Sequence, residues 1–115
     1  EQAISAYTRA LSYFEQSQAT QPSLDSDQSL YLGALHHGRG LALIATGEVA
    51  EGVVDLERSV EYAPRLADAW VALGDGYLLA DRDSEALEAY RTALRFVPDH
   101  AAALQGVERA EGGGR

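Results

Sequence analysis

Three histidines supply the side-chain type that most often binds metals or transfers protons near neutral pH. His36 and His37 are adjacent, so on a helix their side chains point about 100° apart and make poor joint ligands. His100 lies far along the chain, and the His-x3-His spacing of a helical metal site is absent. The histidines therefore indicate surface or partly buried positions rather than a metal site.

The other groups that could do chemistry lack the partners that a reaction needs. Asp81 and Asp83 flank a short polar stretch typical of a turn and a helix cap, not of an acid–base pair. The segment Gly38-Arg39-Gly40 lacks the preceding strand and the third glycine of a phosphate-binding loop. The sequence contains no cysteine and no lysine, which excludes disulfides, thiol catalysis and Schiff-base chemistry. We therefore predict that the chain is not an enzyme and holds no cofactor.

The charge balance is strongly acidic. The 115 residues carry nine cations, all arginine, and 18 acidic side chains, for a formal net charge of −9. The negative potential of such a chain repels phosphates, so nucleic acid is not an expected partner. The sequence shows no leader peptide and no apolar run approaching the roughly 20 residues of a membrane span, so a membrane partner is not expected and a cytoplasmic location is favoured. The absence of lysine and asparagine suggests GC-rich coding, typical of many bacteria, and the start at Glu1 suggests a piece of a longer protein.

The spacing of apolar residues along the chain predicts helices, and these helices would position the side chains described above. Apolar residues recur with the i, i+3, i+4, i+7 spacing of amphipathic helices over 67–80 and again over 84–97. Only a short polar segment separates the two stretches, which predicts an antiparallel helix hairpin. Pro98 ends the second helix, because proline has no N–H and disfavours helix at the residue before it.

The pattern repeats every 34 residues. Gly40 precedes Gly74 by that interval, and two of the prolines show the same separation. The string 2–11 also matches the string 85–94 at five of ten positions. Internal repeats of this length predict hairpins stacked into a solenoid.

The hairpin predicted over 67–97 resembles the tetratricopeptide repeat. Its signature positions are Trp70, Leu73, Gly74, Tyr77, Ala86, Tyr90, Ala93 and Pro98. The resemblance implies an all-α fold, a right-handed superhelix of antiparallel hairpins with about six helices. It divides one domain, 1–111, into a truncated half-repeat at 1–17, an insertion at 18–32, a divergent repeat at 33–66, a consensus-like repeat at 67–100 and a capping helix at 101–111, followed by a flexible tail at 112–115.

Two positions of the repeats carry specific structural expectations. Trp70 is expected to fill the space between the helices of its hairpin, with Gly74 allowing the helices to cross closely. Arg39 stands where the family has leucine, and a charge facing a core is costly unless it is paired. We expect its stem to pack and its head to reach solvent or an acid such as Asp55 or Glu15.

The first helix of each hairpin carries a second stripe that packing within the hairpin does not require. In tetratricopeptide folds the first helices line a concave surface where partners dock, so the resemblance implies a groove there. The predicted partner-binding groove consists of His37, Leu41, Ile44, Val71, Asp75 and Leu78. Packing between adjacent first helices is the alternative explanation of the stripe.

The resemblance implies a protein–protein interaction module that binds a partner peptide or helix. Because lysine and asparagine are absent, the clamp that some relatives use for acidic C-terminal peptides is not expected, and an apolar or weakly basic partner fits better. The alternative is a structural or self-association segment of a larger protein with no peptide ligand. The helix at 1–17, with Ile4, Tyr7 and Leu11, is expected to mediate any homo-oligomer.

Overall fold

The computed structural model describes residues 2–18 and 26–112. These residues form six helices and no strand: α1 (Gln2–Gln18), α2 (Ser26–Ala45), α3 (Val49–Tyr62), α4 (Ala67–Leu79), α5 (Asp83–Phe96) and α6 (Ala101–Gly112). The prediction of an all-α fold with about six helices is confirmed for this part of the chain. The predicted loop of the insertion and the end of the tail, at 19–25 and 113–115, lie outside the described residues.

The helices alternate between two roles along the chain. The hairpins α2–α3 and α4–α5 are the most closely packed pairs, and α3 also packs against α4. Helix α1 packs against α2 as α3 packs against α4, and α6 packs against α5. The even-numbered helices are therefore first helices of hairpins, and the odd-numbered helices are second helices. The result is an elongated solenoid of 48 × 29 × 18 Å.

Both hairpins turn through the same backbone motif. Gly47 and Asp81, 34 residues apart, have φ angles of 91° and 61°. After Asp81, the N–H of Arg82 donates to the carbonyl of Tyr77 at 2.8 Å, and the N–H of Asp81 donates to that of Leu78 at 3.1 Å. This is the Schellman arrangement that satisfies the last carbonyls of a helix. Asp81 thus ends α4 in the left-handed conformation that glycine adopts most easily.

Replacing Asp81 with glycine should raise the free energy of unfolding by about 0.5–1 kcal/mol, because the left-handed strain of a side chain disappears. The reciprocal control, Gly47→Asp, should lower it by a similar amount, since a Cβ at Gly47 would meet no atom within 4 Å and only backbone strain changes. Urea denaturation of both variants checks this. A loss of stability in Asp81→Gly would contradict it.

The core of the second hairpin is built around Tyr90. Its side chain is fully buried, at 0% exposure. A Cβ added at Gly74 on α4 would come within 2.7 Å of its ring, and one added at Gly106 on α6 would overlap the same ring. Tyr90 is therefore a wedge on α5 that glycines on two neighbouring helices accommodate.

Trp70 differs from its expected role. It is only partly buried and packs against the edge of the core rather than filling the hairpin interior. Its indole Nε1–H donates to the carbonyl of Pro64 at 2.8 Å. The physical reason is that one side of the tryptophan lies in an open groove between α4 and α5. The spacing identified the correct helix face, but not how completely the neighbours cover it.

Candidate functional site

A groove crosses the first helices α2, α4 and α6. Its lining residues are Leu41, Ile44, Asp68, Val71, Ala72, Asp75, Gly76, Leu79, His100 and Ala102. The cavity measures about 260 Å³, which suits one or two inserted side chains rather than an enclosed small molecule. We call it the α2–α4–α6 groove.

Four of the six residues predicted from the sequence lie together in this groove: Leu41, Ile44, Val71 and Asp75. The other two lie elsewhere. Leu78 packs against the core, and its neighbour Leu79 lines the groove instead. His37 is partly buried and is not among the groove residues.

Two large apolar side chains at the groove face solvent. Leu41 is 46% exposed and Leu79 is 61% exposed, while Val71 is buried. Isolated exposed leucines are ordinary on a protein surface, but these two line the same groove, and together we call them the apolar strip. Such a strip gains free energy when a partner covers it.

The α6 end of the groove is held by a histidine. The Nε2–H of His100 donates to the Asp68 carboxylate at 2.6 Å. Its Nδ1 accepts the N–H of Ala103 at 3.3 Å, so the same ring caps the first turn of α6. Asp68 nevertheless remains open to water, with 86% of its side chain exposed. One imidazole thus joins α6 to α4 and leaves a carboxylate on the rim.

Asp75 has partners within the protein. It accepts a short hydrogen bond from the hydroxyl of Tyr90 and a second bond from Arg109 Nη2 at 3.1 Å. Its contact with α6 therefore fixes the groove wall, and the Arg109 guanidinium offsets its negative charge. Asp68 is the rim carboxylate with the greater freedom to meet a ligand cation.

His37 adds no positive charge to this region. Burial lowers its pKa below the usual value of 6.5, and the nearby carboxylate of Asp68 opposes that shift only in part. At physiological pH the imidazole is therefore neutral. The rim carries acidic side chains without an added cation from His37.

A second, polar cleft lies between α1 and α3, with α2 as its floor. Asp55 of α3 is buried there and accepts Nδ1–H of His36 at 2.9 Å. Arg39 donates to both oxygens of Asp55, from Nε at 2.7 Å and from Nη2 at 2.8 Å. The structure thus selects Asp55 as the partner of Arg39, one of the two acids expected, and adds His36 as an unexpected member.

The electrostatics of this polar cleft favour the ionised carboxylate. Burial raises the pKa of Asp55, but the hydrogen bonds from His36 and Arg39 together outweigh it and hold the pKa below its usual range. A fork-shaped guanidinium is well matched to two carboxylate oxygens. The cluster therefore joins α2 to α3 through charge-assisted bonds.

The polar cleft recurs 34 residues later as an apolar groove. His36, Arg39 and Asp55 correspond to Trp70, Leu73 and Ala89, which line the groove between α4 and α5. Three positions that are apolar in the second repeat are thus all polar in the first, where their side chains are hydrogen-bonded to one another. The family pattern could not reveal this, because it treats each departure separately.

None of these sites is assembled for metal chemistry. Among residues 2–18 and 26–112, no group of three or more histidine, aspartate or glutamate side chains is placed to hold a metal ion. Within the same residues, no helix has the length and apolar character that crossing a bilayer requires. What the described residues offer is a surface with an apolar strip and an acidic rim.

Comparison with known families agrees with this geometry. Residues 67–100 match the tetratricopeptide repeat family. This segment is a tetratricopeptide repeat. Its bounds coincide with α4, α5 and the turn that leads into α6, and the helices around it continue the same alternation. No curated protein matches the chain.

The tetratricopeptide repeat suggests a general class of function. Repeats of this family generally serve as non-enzymatic interaction scaffolds, and their partners are proteins. The repeat alone does not distinguish among the surfaces of the molecule. Which face binds a partner, and what it binds, depends on the side chains that each face presents.

Proposed function

We propose that the protein is an interaction module, not an enzyme, and that its α2–α4–α6 groove binds a peptide or helix of a partner protein. The observation that carries the proposal is the apolar strip of Leu41 and Leu79 at solvent beside acidic side chains. An amphipathic helix or extended segment can lay its apolar side chains along such a strip.

The charge of the groove narrows the partner. The exposed carboxylate of Asp68 borders it, and the whole chain has a net charge of −9. A ligand that places an arginine or lysine beside its apolar anchors meets an attractive field, whereas an acidic peptide is repelled. The proposed ligand is therefore an apolar segment with a flanking cation.

Peptides selected on the protein from a random display library should combine apolar residues with arginine or lysine. Leu41→Asp should weaken their binding at least about tenfold, because the new carboxylate is desolvated beneath the ligand. Val54→Asp is the matched control, since Val54 is 48% exposed, much like Leu41, but lies on α3. Titration calorimetry measures both affinities, and circular dichroism checks that both variants stay helical.

Two outcomes would reject the groove as the site. One is unchanged affinity in a folded Leu41→Asp variant. The other is an equal loss in Leu41→Asp and Val54→Asp, which would indicate a general charge effect rather than a local contact.

The alternative function, a structural or self-associating segment, rests on a different helix. Tyr13 on α1 is 73% exposed, and Tyr31 near the start of α2 is also exposed. Self-association through α1 would cover this region and leave the α2–α4–α6 groove unoccupied. Light scattering of the chain with and without residues 1–17 separates the two functions, since a dimer that survives the deletion does not use α1.

A further inference from the structure

Corresponding positions of α5, α3 and α1 each line a groove. Within the described residues, the groove along α1 has a wall on one side only. On α5 the wall consists of Glu85, Glu88, Ala89 and Thr92, which face Trp70, Leu73 and Tyr77 of α4. On α3 the corresponding wall faces α2. On α1 the corresponding positions are Gln2, Ser5, Ala6 and Arg9, and they line a groove to which the other described residues contribute no second wall.

The alanines of α5 and α1 differ in exposure according to whether a neighbouring helix covers them. Ala86 and Ala89 on α5 are 0% and 3% exposed, because α4 lies against them. Their counterparts on α1, Ala3 and Ala6, are both exposed. The same sequence pattern is thus covered in one helix and open in the other.

The tyrosine of the shared string shows the same asymmetry. Tyr90 is enclosed by Gly106 on the following helix and by Gly74 on the preceding one. Tyr7, its counterpart, lies where a Cβ on Gly38 of the following helix would overlap its ring. Within the described residues no glycine approaches Tyr7 from the other side. The open side therefore corresponds to the position that α4 fills against Tyr90.

A second copy of this chain does not supply the missing wall by head-to-tail stacking. Such stacking would place α6 of one copy against α1 of the next, since α6 is a first helix with no second helix packed behind it among the described residues. The residue of α6 that corresponds to Gly74 is Glu108, and the one that corresponds to Tyr77 is Glu111. Glu108 would bring a charged side chain to the point where Tyr7 requires a glycine.

We propose that the open face of α1, formed by Ala3, Ala6, Tyr7 and Ala10, binds a helix from outside this 115-residue sequence in the antiparallel geometry of α4 on α5. That helix carries a large apolar residue, a leucine-like residue three positions later, and a glycine immediately after it. Ala6 is small and apolar as Ala89 is, so the apolar pattern of Trp70 and Leu73 fits this wall, whereas the His36 and Arg39 pattern requires an acid at that point.

The test supplies such a helix in the same chain. A copy of residues 67–84 is joined ahead of Gln2, which places the copied helix and its turn before α1 in the register that α4 has before α5. The melting temperature should rise by about 5 °C or more, as expected when an added helix buries a previously exposed face. Hydrogen exchange of residues 3–11 should slow at least tenfold relative to the unextended chain.

Two matched variants make the result specific. Gly74→Leu in the appended copy alone should remove the gain, because the added side chain meets the ring of Tyr7. Ala6→Leu should leave the unextended chain unchanged, since Ala6 is exposed there, but should remove the gain in the extended chain.

Three results would overturn the proposal. They are an extended chain that melts no higher than the parent, a Gly74→Leu copy that stabilises as well as the unaltered copy, and a parent chain whose dimer, seen by light scattering, dissociates on Ala6→Arg. The last would show that a second copy covers this face.

Discussion

Replacing Tyr90 with alanine is expected to lower the free energy of unfolding by about 3–5 kcal/mol, the largest single-residue effect that the core predicts. The side chain has no exposed surface, and glycines on α4 and α6 leave space for its ring alone. Truncation therefore leaves a cavity that borders three helices. The cavity cannot close unless the helices move. Urea denaturation followed by circular dichroism measures the loss.

Two control substitutions isolate the contribution of the Tyr90 ring to stability. One removes only the hydroxyl, and the other removes a tyrosine that lies mostly in solvent. Tyr90→Phe keeps the ring and removes only the hydrogen bond to Asp75, so it should cost about 0.5–1.5 kcal/mol. Tyr13→Ala removes a tyrosine that is mostly in solvent and should change stability by less than about 0.5 kcal/mol. Equal losses in Tyr90→Ala and Tyr13→Ala would contradict the assignment of Tyr90 as a wedge.

Removing the carboxylate of Asp55 is expected to cost about 3 kcal/mol. Asp55→Ala leaves Arg39 and His36 in the polar cleft without their common acceptor, and uncompensated buried charge is strongly destabilising. We expect the lower end of the usual range, because Arg39 is 24% exposed and can turn partly towards water. Asp68→Ala is the control, since its exposed bond to His100 should contribute less than about 1 kcal/mol.

A triple substitution tests whether the polar cleft is an interchangeable version of the α4–α5 groove. His36→Trp, Arg39→Leu and Asp55→Ala together install the Trp70, Leu73 and Ala89 set. Because well-packed apolar residues often replace buried ion pairs without loss, the triple variant should regain the parent's stability to within about 1 kcal/mol. A triple variant no more stable than Asp55→Ala would show that the two grooves are not equivalent.

The same carboxylate predicts a dependence on pH. The pKa of Asp55 in the folded protein lies below its usual value of 3.8, so the unfolded chain takes up this proton first as the pH falls. Its contribution to stability is complete above about pH 5 and is lost as the pH drops through the folded-state pKa. The difference in stability between the parent and Asp55→Ala should therefore shrink below about pH 4.

The helices and their pairing could be predicted from the sequence because they depend on local chemistry. Spacing of apolar residues sets the helix faces, and Pro98 and the Asp81 turn set the ends. How deeply a face is covered depends instead on neighbours distant in sequence. Trp70 illustrates the limit, since its position is correct but its indole is only partly buried beside an open groove.

The lining of the α2–α4–α6 groove was only partly predictable, because it also depends on how helices distant in sequence cross. The predicted stripe includes Leu41, Ile44 and Val71, which do line the groove, but it includes Leu78 where the groove has Leu79. These adjacent residues point about 100° apart, and the crossing of the neighbouring helices decides which of them lines the groove. His100 and Ala102 line the groove but are absent from the predicted set, because the sequence analysis predicts 101–111 only as a capping helix. Its 34-residue offset from α4, a first helix, was the sequence signal for including it.

The measurement that tests the proposed function most directly is nuclear magnetic resonance of the isotope-labelled protein titrated with a library-selected peptide. We expect the largest chemical-shift changes at Leu41, Val71 and Leu79, with a further change at Asp68 caused by the peptide's cation. The residues of α3 should change little. Changes concentrated on α1 or on the polar cleft around Asp55, with the groove unaffected, would contradict it.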